Sequence, residues 1–266
     1  MHSVLTPDTE LMQARFSAAS SVYDNYAEHH RLIAEEVEHI VRKLNPESLL
    51  EPGSGTGILS EKLNRSFPRA VKTFTDIAPG MVSVCRERLP ESPFVSHKIW
   101  NFEGKQSLES YDLVVSSCAL QWAADPVSTV KNLCSAVAAG GYAVHAIPVR
   151  GMLQELQNSF RAEGVTANRL DYLEGKQWSG LFYREGFVDC GSFLKNYTVR
   201  YPGPAHVLHA IRGIGASLAG HPGAFCVTPV ELRKALNRYS RTYGDESGAV
   251  PATYRIQFVV AKKVLP

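Results

Sequence analysis

The seven residues Glu51-Pro52-Gly53-Ser54-Gly55-Thr56-Gly57 follow the short apolar run Ser48-Leu49-Leu50 and precede a stretch of helical periodicity from Ile58 to Ser66. Glycines on alternate positions at a strand-to-helix turn permit positive φ and let backbone approach a small molecule with no Cβ in the way. Spacing narrows the ligand. A dinucleotide fingerprint, G-x-G-x-x-G, needs glycine where this chain has Ile58 and would set pyrophosphate on the helix N-terminus. Glu51, just ahead of the glycines, repels pyrophosphate and suits a ligand with an amino group. Asp76, about 20 residues after the loop, closes a second predicted strand, where nucleotide-binding units place a carboxylate on vicinal ribose hydroxyls.

Around this turn the chain alternates apolar runs with amphipathic stretches, the pattern of a parallel sheet covered by helices on both faces. Strands are predicted near 48–50, 70–75, 94–99, 111–116 and 142–147, with helices near 58–66, 80–88 and 126–138, the last capped by Gly140-Gly141. Two helices are expected between Leu11 and Leu44. Beyond Pro148 helices are expected near 153–162, 171–184, 205–217 and 229–240, a strand near 187–199, and a final strand at 253–263. No repeat and no Pro/Gly/Ser-rich linker divides the chain. One α/β domain over 1–266 is therefore expected, with 45–148 as the ligand-binding core and a helical cap from 1–44 and about 150–245.

Composition removes several classes of function. The formal net charge of +2 gives no reason to expect nucleic acid or a membrane surface as partner. Cys85, Cys118, Cys134, Cys190 and Cys226 lack C-x-x-C or zinc-ligand spacing, so reduced thiols and no metal are expected. No run reaches bilayer-spanning length and Pro7, Asp8 and Glu10 interrupt any leader, which predicts a cytoplasmic protein.

The glycine loop, Asp76, Asn101-Phe102-Glu103 and Tyr111-Asp112-Leu113-Val114-Val115-Ser116 together resemble the class I S-adenosylmethionine-dependent methyltransferases. The resemblance implies a Rossmann-like fold with a mostly parallel seven-stranded sheet. It also implies S-adenosyl-L-methionine as cofactor: Gly53, Gly55 and Gly57 along its methionine part with Glu51, Asp76 on the ribose, Ile77 and Phe102 on the adenine faces, Asn101 at the adenine amino group, and Ser117 in the same set.

More specific stretches lie outside that core: Phe16-Ser17-Ala18-Ala19, Tyr23-Asp24-Asn25-Tyr26-Ala27, Leu120-Gln121-Trp122, Leu153-Gln154-Glu155-Leu156, Asn168-Arg169, Ile211-Arg212-Gly213-Ile214-Gly215-Ala216 and Thr253-Tyr254. These are similar to the malonyl-[acyl-carrier protein] O-methyltransferases of biotin synthesis, and the likeness spans nearly the whole chain. It implies methylation of the free carboxylate of a malonyl thioester, on acyl-carrier protein or coenzyme A. Bringing an anion to a sulfonium needs alignment and an enclosed site rather than a general base, which fits the lack of a convincing His/Asp or His/Glu pair. It does need a cation for the carboxylate. Arg212 is the first candidate, with Arg169 and Arg150 behind it, because a guanidinium fork holds a carboxylate in one plane. Tyr23 is assigned to close over the sulfonium, and Gln121 and Trp122 to floor the acceptor site. His29, His30 and His145 receive no role.

An acidic carrier protein calls for a locally basic face. The helix after Pro229 is expected to turn Leu232, Ala235, Leu236 and Tyr239 inward and Lys234, Arg238 and Arg241 outward. Two alternatives stay open: a methyltransferase for another small carboxylic acid or a quinone, and a non-catalytic regulator that binds the cofactor. Oligomeric state is not legible.

Overall fold

A computed structural model describes residues 9–104, 109–165, 172–216 and 227–265. Two helices, α1 (Thr9–Ala19) and α2 (Glu28–Val41), flank a short 3-10 turn at Tyr23–Asn25 and lead into β1 (Ser48–Pro52). The chain then alternates through α3 (Ile58–Ser66), β2 (Val71–Asp76), α4 (Pro79–Arg88), β3 (Val95–Ile99), β4 (Tyr111–Ser117), α5 (Pro126–Ser135) and β5 (Val137–Pro148). These five strands pair in parallel in the order β3-β2-β1-β4-β5. Successive side chains of a strand point to opposite faces, and the core divides accordingly. Leu49, Leu113, Val115 and Val144 pack with residues of α2 and α3, whereas Leu50, Val114, Ala143 and Ile147 pack with α5 and the later helix α7 (Gly175–Arg184).

From β1 the chain moves outward to β2 and β3, then crosses back to β4 on the other side of β1. Such a reversal opens a crevice beyond the C-terminal ends of the two central strands, and the glycine loop lies there.

The second half completes the sheet and builds walls above that crevice. After α6 (Gln154–Ala162) and α7 come β6 (Phe187–Asp189), β7 (Phe193–Tyr201), α8 (Pro204–Gly213), α9 (Pro229–Tyr243) and β8 (Val250–Lys263). β8 runs antiparallel to β5 on one side and to both β6 and β7 on the other. The single strand expected near 187–199 is thus two segments, making eight strands instead of seven. The break has a local cause: Asp189 Oδ1 accepts from the backbone N–H groups of Gly191 and Ser192 at 3.2 and 2.8 Å, and Gly191 takes φ +106°. Ser192 Oγ accepts from Val260 N at 3.0 Å, so ladder pairing is replaced there by a side-chain bond.

Gly140-Gly141 does not cap α5. That helix ends at Ser135, and β5 has already begun at Val137. The β4–β5 register shifts between Tyr111, opposite Val137, and Leu113, opposite Tyr142, with Gly140 at φ +76° inside the irregularity. The glycines therefore serve a bulge in the strand. Among the described residues no helix is long and apolar enough to cross a membrane, and Cys85, Cys118, Cys134 and Cys190 are unbridged; Cys226 lies outside the described residues.

Candidate active site

A cavity of about 410 Å³ opens over the ends of β1, β2 and β4. Its floor is the glycine loop. Gly53 (φ +72°) backs onto Ala119, whose Cβ would lie 2.4 Å from any Cβ added there; at Gly55 (φ +56°) no protein atom stands within 4 Å of that position. Gly55 thus leaves open space a side chain would fill. Gly57 (φ +89°) caps α3 from behind, against Cys85 Sγ and Arg88, and does not line the cavity, so its part in the expected cofactor set reduces to shaping the turn.

Asp76, only 8% exposed, ends β2 facing this loop. Its Oδ2 accepts from Gly55 N at 2.9 Å and its Oδ1 from Ala78 N at 2.8 Å. Burial pushes the carboxyl above its ordinary pKa, and the backbone N–H groups of Ala78, Gly55 and Ile77 oppose that shift. Glu51 is 1% exposed, and its Oε2 accepts from Ser60 Oγ at 2.7 Å. Burial raises its pKa to about 8, so in the unliganded protein it is largely protonated at neutrality. Ile77, Phe102, Asn101 and Ser117 also line this end. Asn101 Oδ1 accepts from Glu103 N at 2.9 Å, which leaves one acceptor lone pair for the adenine contact assigned to it.

The opposite end is built by the N-terminal segment, α6 and α8. Tyr23 lines the cavity; its hydroxyl is 3.1 Å from His30 Nδ1 and its ring stacks on that imidazole at 5.4 Å. Trp122 lines it too and meets Phe16 edge to face at 5.3 Å. Gln121 Nε2 donates to Cys118 O at 2.7 Å, and its Oε1 has no partner. Arg212, in the last turn of α8, reaches the same cavity because α8 packs tightly on the N-terminal segment. An added Cβ at Gly213 would fall 2.1 Å from the Tyr26 ring, and Tyr26 Oη contacts His209 Nε2 at 2.8 Å. The Arg212 guanidinium has no ion pair or hydrogen bond with any described residue.

Not every expected residue arrives. Arg150 is 63% exposed, pairs with Glu174 at 3.2 Å and is absent from the wall; Arg169 lies outside the described residues. Conversely, the cavity includes Arg161 on α6, held by Asn158 Oδ1 at 2.9 Å, together with His29, His30 and Tyr254. Arg161 stands four and eight residues after Gln157 and Leu153, which line the same wall, so helical phase was the available signal. His29 stacks on Tyr254 at 3.8 Å; burial lowers its pKa well below the ordinary value and brings His30 to about 4.

The comparisons agree with this architecture. Residues 50–143 match a family profile described as a methyltransferase domain. A malonyl-[acyl-carrier protein] O-methyltransferase from Brevibacillus brevis is 27% identical, with 94% of this chain and 95% of the relative covered. One of the same name from Marinomonas sp. is 26% identical, with 98% of each covered. The solved N-methyltransferase NodS from Bradyrhizobium japonicum, in complex with S-adenosyl-L-homocysteine, superposes with a TM-score of 0.51 at 12% identity, over 90% of this chain and 87% of that one. The chain is a class I S-adenosylmethionine-dependent methyltransferase. Within that class the chain is similar, over nearly its full length, to relatives named malonyl-[acyl-carrier protein] O-methyltransferase.

The residues present fit that donor: open space at Gly55, a carboxylate at the end of β2, and acidic groups confined to the loop end. An ammonium group beside Glu51 favours the ionised carboxylate and pulls its pKa below about 8. Cofactor binding is therefore expected to release protons at neutrality and to strengthen as pH rises towards 8, then to weaken above it as the free ligand's own ammonium group titrates. Calorimetry in buffers of different ionisation enthalpy measures this release. Glu51→Gln should abolish it, and a proton count unchanged in that variant would assign the release elsewhere.

Proposed function

We propose that this methyltransferase esterifies the free carboxylate of a malonyl thioester carried by acyl-carrier protein, the reaction its family resemblance places at the entry to pimeloyl assembly for biotin. The observation that carries the reading is the charge and proton state of the acceptor end. Arg161 and Arg212 line it, and no described group beside them is poised near neutrality to act as a base. His30 at about 4 is too weak a base, burial keeps the proton on Tyr23, and the Cys118 thiol is pushed up to about 12. A neutral hydroxyl or carbon acid would need such a base. A carboxylate arrives already ionised.

When bound, S-adenosylmethionine supplies an electrophilic methyl carbon on a positively charged sulfur. The guanidinium groups hold the carboxylate, while Tyr23, Trp122 and the apolar wall exclude water and so leave the attraction between opposite charges less screened. Incubation with radiolabelled cofactor and malonyl-carrier protein tests the assignment: label is expected as a base-labile ester, and label that never takes that form overturns it.

The carrier protein is expected to dock on α9. Ala235 and Tyr239 are buried, whereas Lys234 and Arg241 line a surface groove with Asn237, Ser240 and Glu163. Glu163 pairs with Arg238 at 2.5 Å, so Lys234 and Arg241, whose charges also act on Glu163, leave this face with a net positive charge. Replacing both with Glu should raise KM for malonyl-carrier protein by about tenfold and leave malonyl-coenzyme A turnover unchanged. Equal effects on both substrates would move the docking site off α9.

A further inference from the structure

Within Tyr23-Asp24-Asn25-Tyr26-Ala27 the proposed reaction uses only the tyrosine, yet the most connected side chain is its neighbour. Asp24 sits in the 3-10 turn between α1 and α2, and its carboxylate reaches two separate elements of the cofactor half. Oδ1 accepts from Thr56 Oγ1 at 2.6 Å, inside the glycine loop, and Oδ2 pairs with Arg88 at the end of α4. The Asp24 carbonyl accepts from Arg31 on α2. Arg88 is also the residue behind Gly57, its Cδ lying 3.5 Å from where a Cβ would be. One carboxylate therefore joins the floor of the cofactor site to the turn that carries Tyr23, and Thr56 and Tyr23 both line the cavity.

The rest of the N-terminal segment is fastened in a similar way. Ala19 is the one buried residue in α1. That helix meets α4 at Gly80, whose N–H donates to Ser17 Oγ at 3.3 Å and where an added Cβ would lie 2.7 Å from Ser17 O. Elements attached by polar contacts and little apolar burial open at low free-energy cost. Their closed position depends on whatever orders the surface they attach to.

We propose that Asp24 is a positioning residue that couples the state of the glycine loop to the placement of Tyr23, so that the acceptor wall assembles against a loop already ordered by cofactor. The coupling is reciprocal, so closing the segment also favours the cofactor-bound loop. This holds whatever the methyl acceptor is.

The test needs no acceptor. In the wild type, S-adenosylhomocysteine should slow amide hydrogen exchange in residues 9–26. Asp24→Ala should lose that ligand-dependent protection while retaining its melting temperature in the absence of ligand. Thr56→Val, nearly isosteric, removes one of the two side-chain links and decides the matter should the aspartate variant fail to fold. It is expected to weaken the protection and, with a competent acceptor, to lower kcat by about tenfold, the scale of one hydrogen bond to a charged group. The charge swap Asp24→Arg with Arg88→Asp should recover part of the protection. Wild-type protection in Thr56→Val overturns the proposal; absence of turnover with malonyl-carrier protein bears only on the acceptor.

Discussion

Arg212→Ala is expected to reduce kcat/KM for the acceptor by about a hundredfold or more, with S-adenosylmethionine bound as tightly as by the wild type. The guanidinium lines the cavity and has no charge partner among the described residues, so an anionic substrate is its expected counter-ion. Its place in the last turn of α8 puts positive charge where the helix dipole favours it, a contribution of well under about 1 kcal/mol at an exposed site, so the fold should tolerate the change. Arg212→Lys keeps the charge and loses the planar fork, and its activity should fall between the two. Arg161→Ala is the companion measurement, since that side chain is already tethered to Asn158. Steady-state kinetics and calorimetric cofactor titration separate these effects. Wild-type kcat/KM in the Arg212→Ala, Arg161→Ala double variant would remove the carboxylate grip from the proposed mechanism.

Asp76→Ala should raise the dissociation constant for S-adenosylmethionine by about a hundredfold or more. Two backbone N–H groups, from Gly55 and Ala78, terminate on this carboxylate. Its loss strips the loop of its anchor as well as removing the expected ribose acceptor, and hydrogen bonds to a charged group contribute about 1.5–3 kcal/mol each. Gly53→Ala is expected to do comparable damage by sterics, because its Cβ would lie 2.4 Å from Ala119 Cβ and its φ of +72° disfavours any side chain. Ala119→Gly should restore part of the affinity to Gly53→Ala by clearing the space, while the backbone strain remains. Titration of each variant with the cofactor reads all three, and binding by Asp76→Ala at wild-type strength would sink the assignment.

The parallel half of the molecule was legible in the sequence because its signals are local. Leu49-Leu50 and Leu113-Val114-Val115 are buried on both faces, and continuous apolar runs bounded by turn residues read as central strands. The helix from Ile58 to Ser66 begins and ends where its periodicity does. What was hidden depends on long-range pairing. Gly140-Gly141 carries the composition of a helix cap, and only the ladder between β4 and β5 reveals a bulge. The split between β6 and β7 is set by Asp189 and by a bond from Ser192 to a strand far along the chain. At the site, the loop end was visible as a motif, whereas Arg161 was obscured because a lone cation on an amphipathic helix looks like a solvated residue. Glu51 was visible as an acidic group ahead of the glycines, but its burial, which raises its pKa to about 8 against the opposing hydrogen bond from Ser60, depends on packing the motif does not show.

Three earlier strands converge on β8, which pairs β5 along one edge and β6 and β7 along the other. During synthesis the parallel half can collapse while β5 still presents an open hydrogen-bonding edge, and β6 and β7 have nothing to pair with until residues 250–263 have been made. Late closure by a strand so distant in sequence is slow, and it leaves an exposed β-edge able to recruit another chain. The nascent protein should therefore depend more on protection from aggregation than its mature fold suggests.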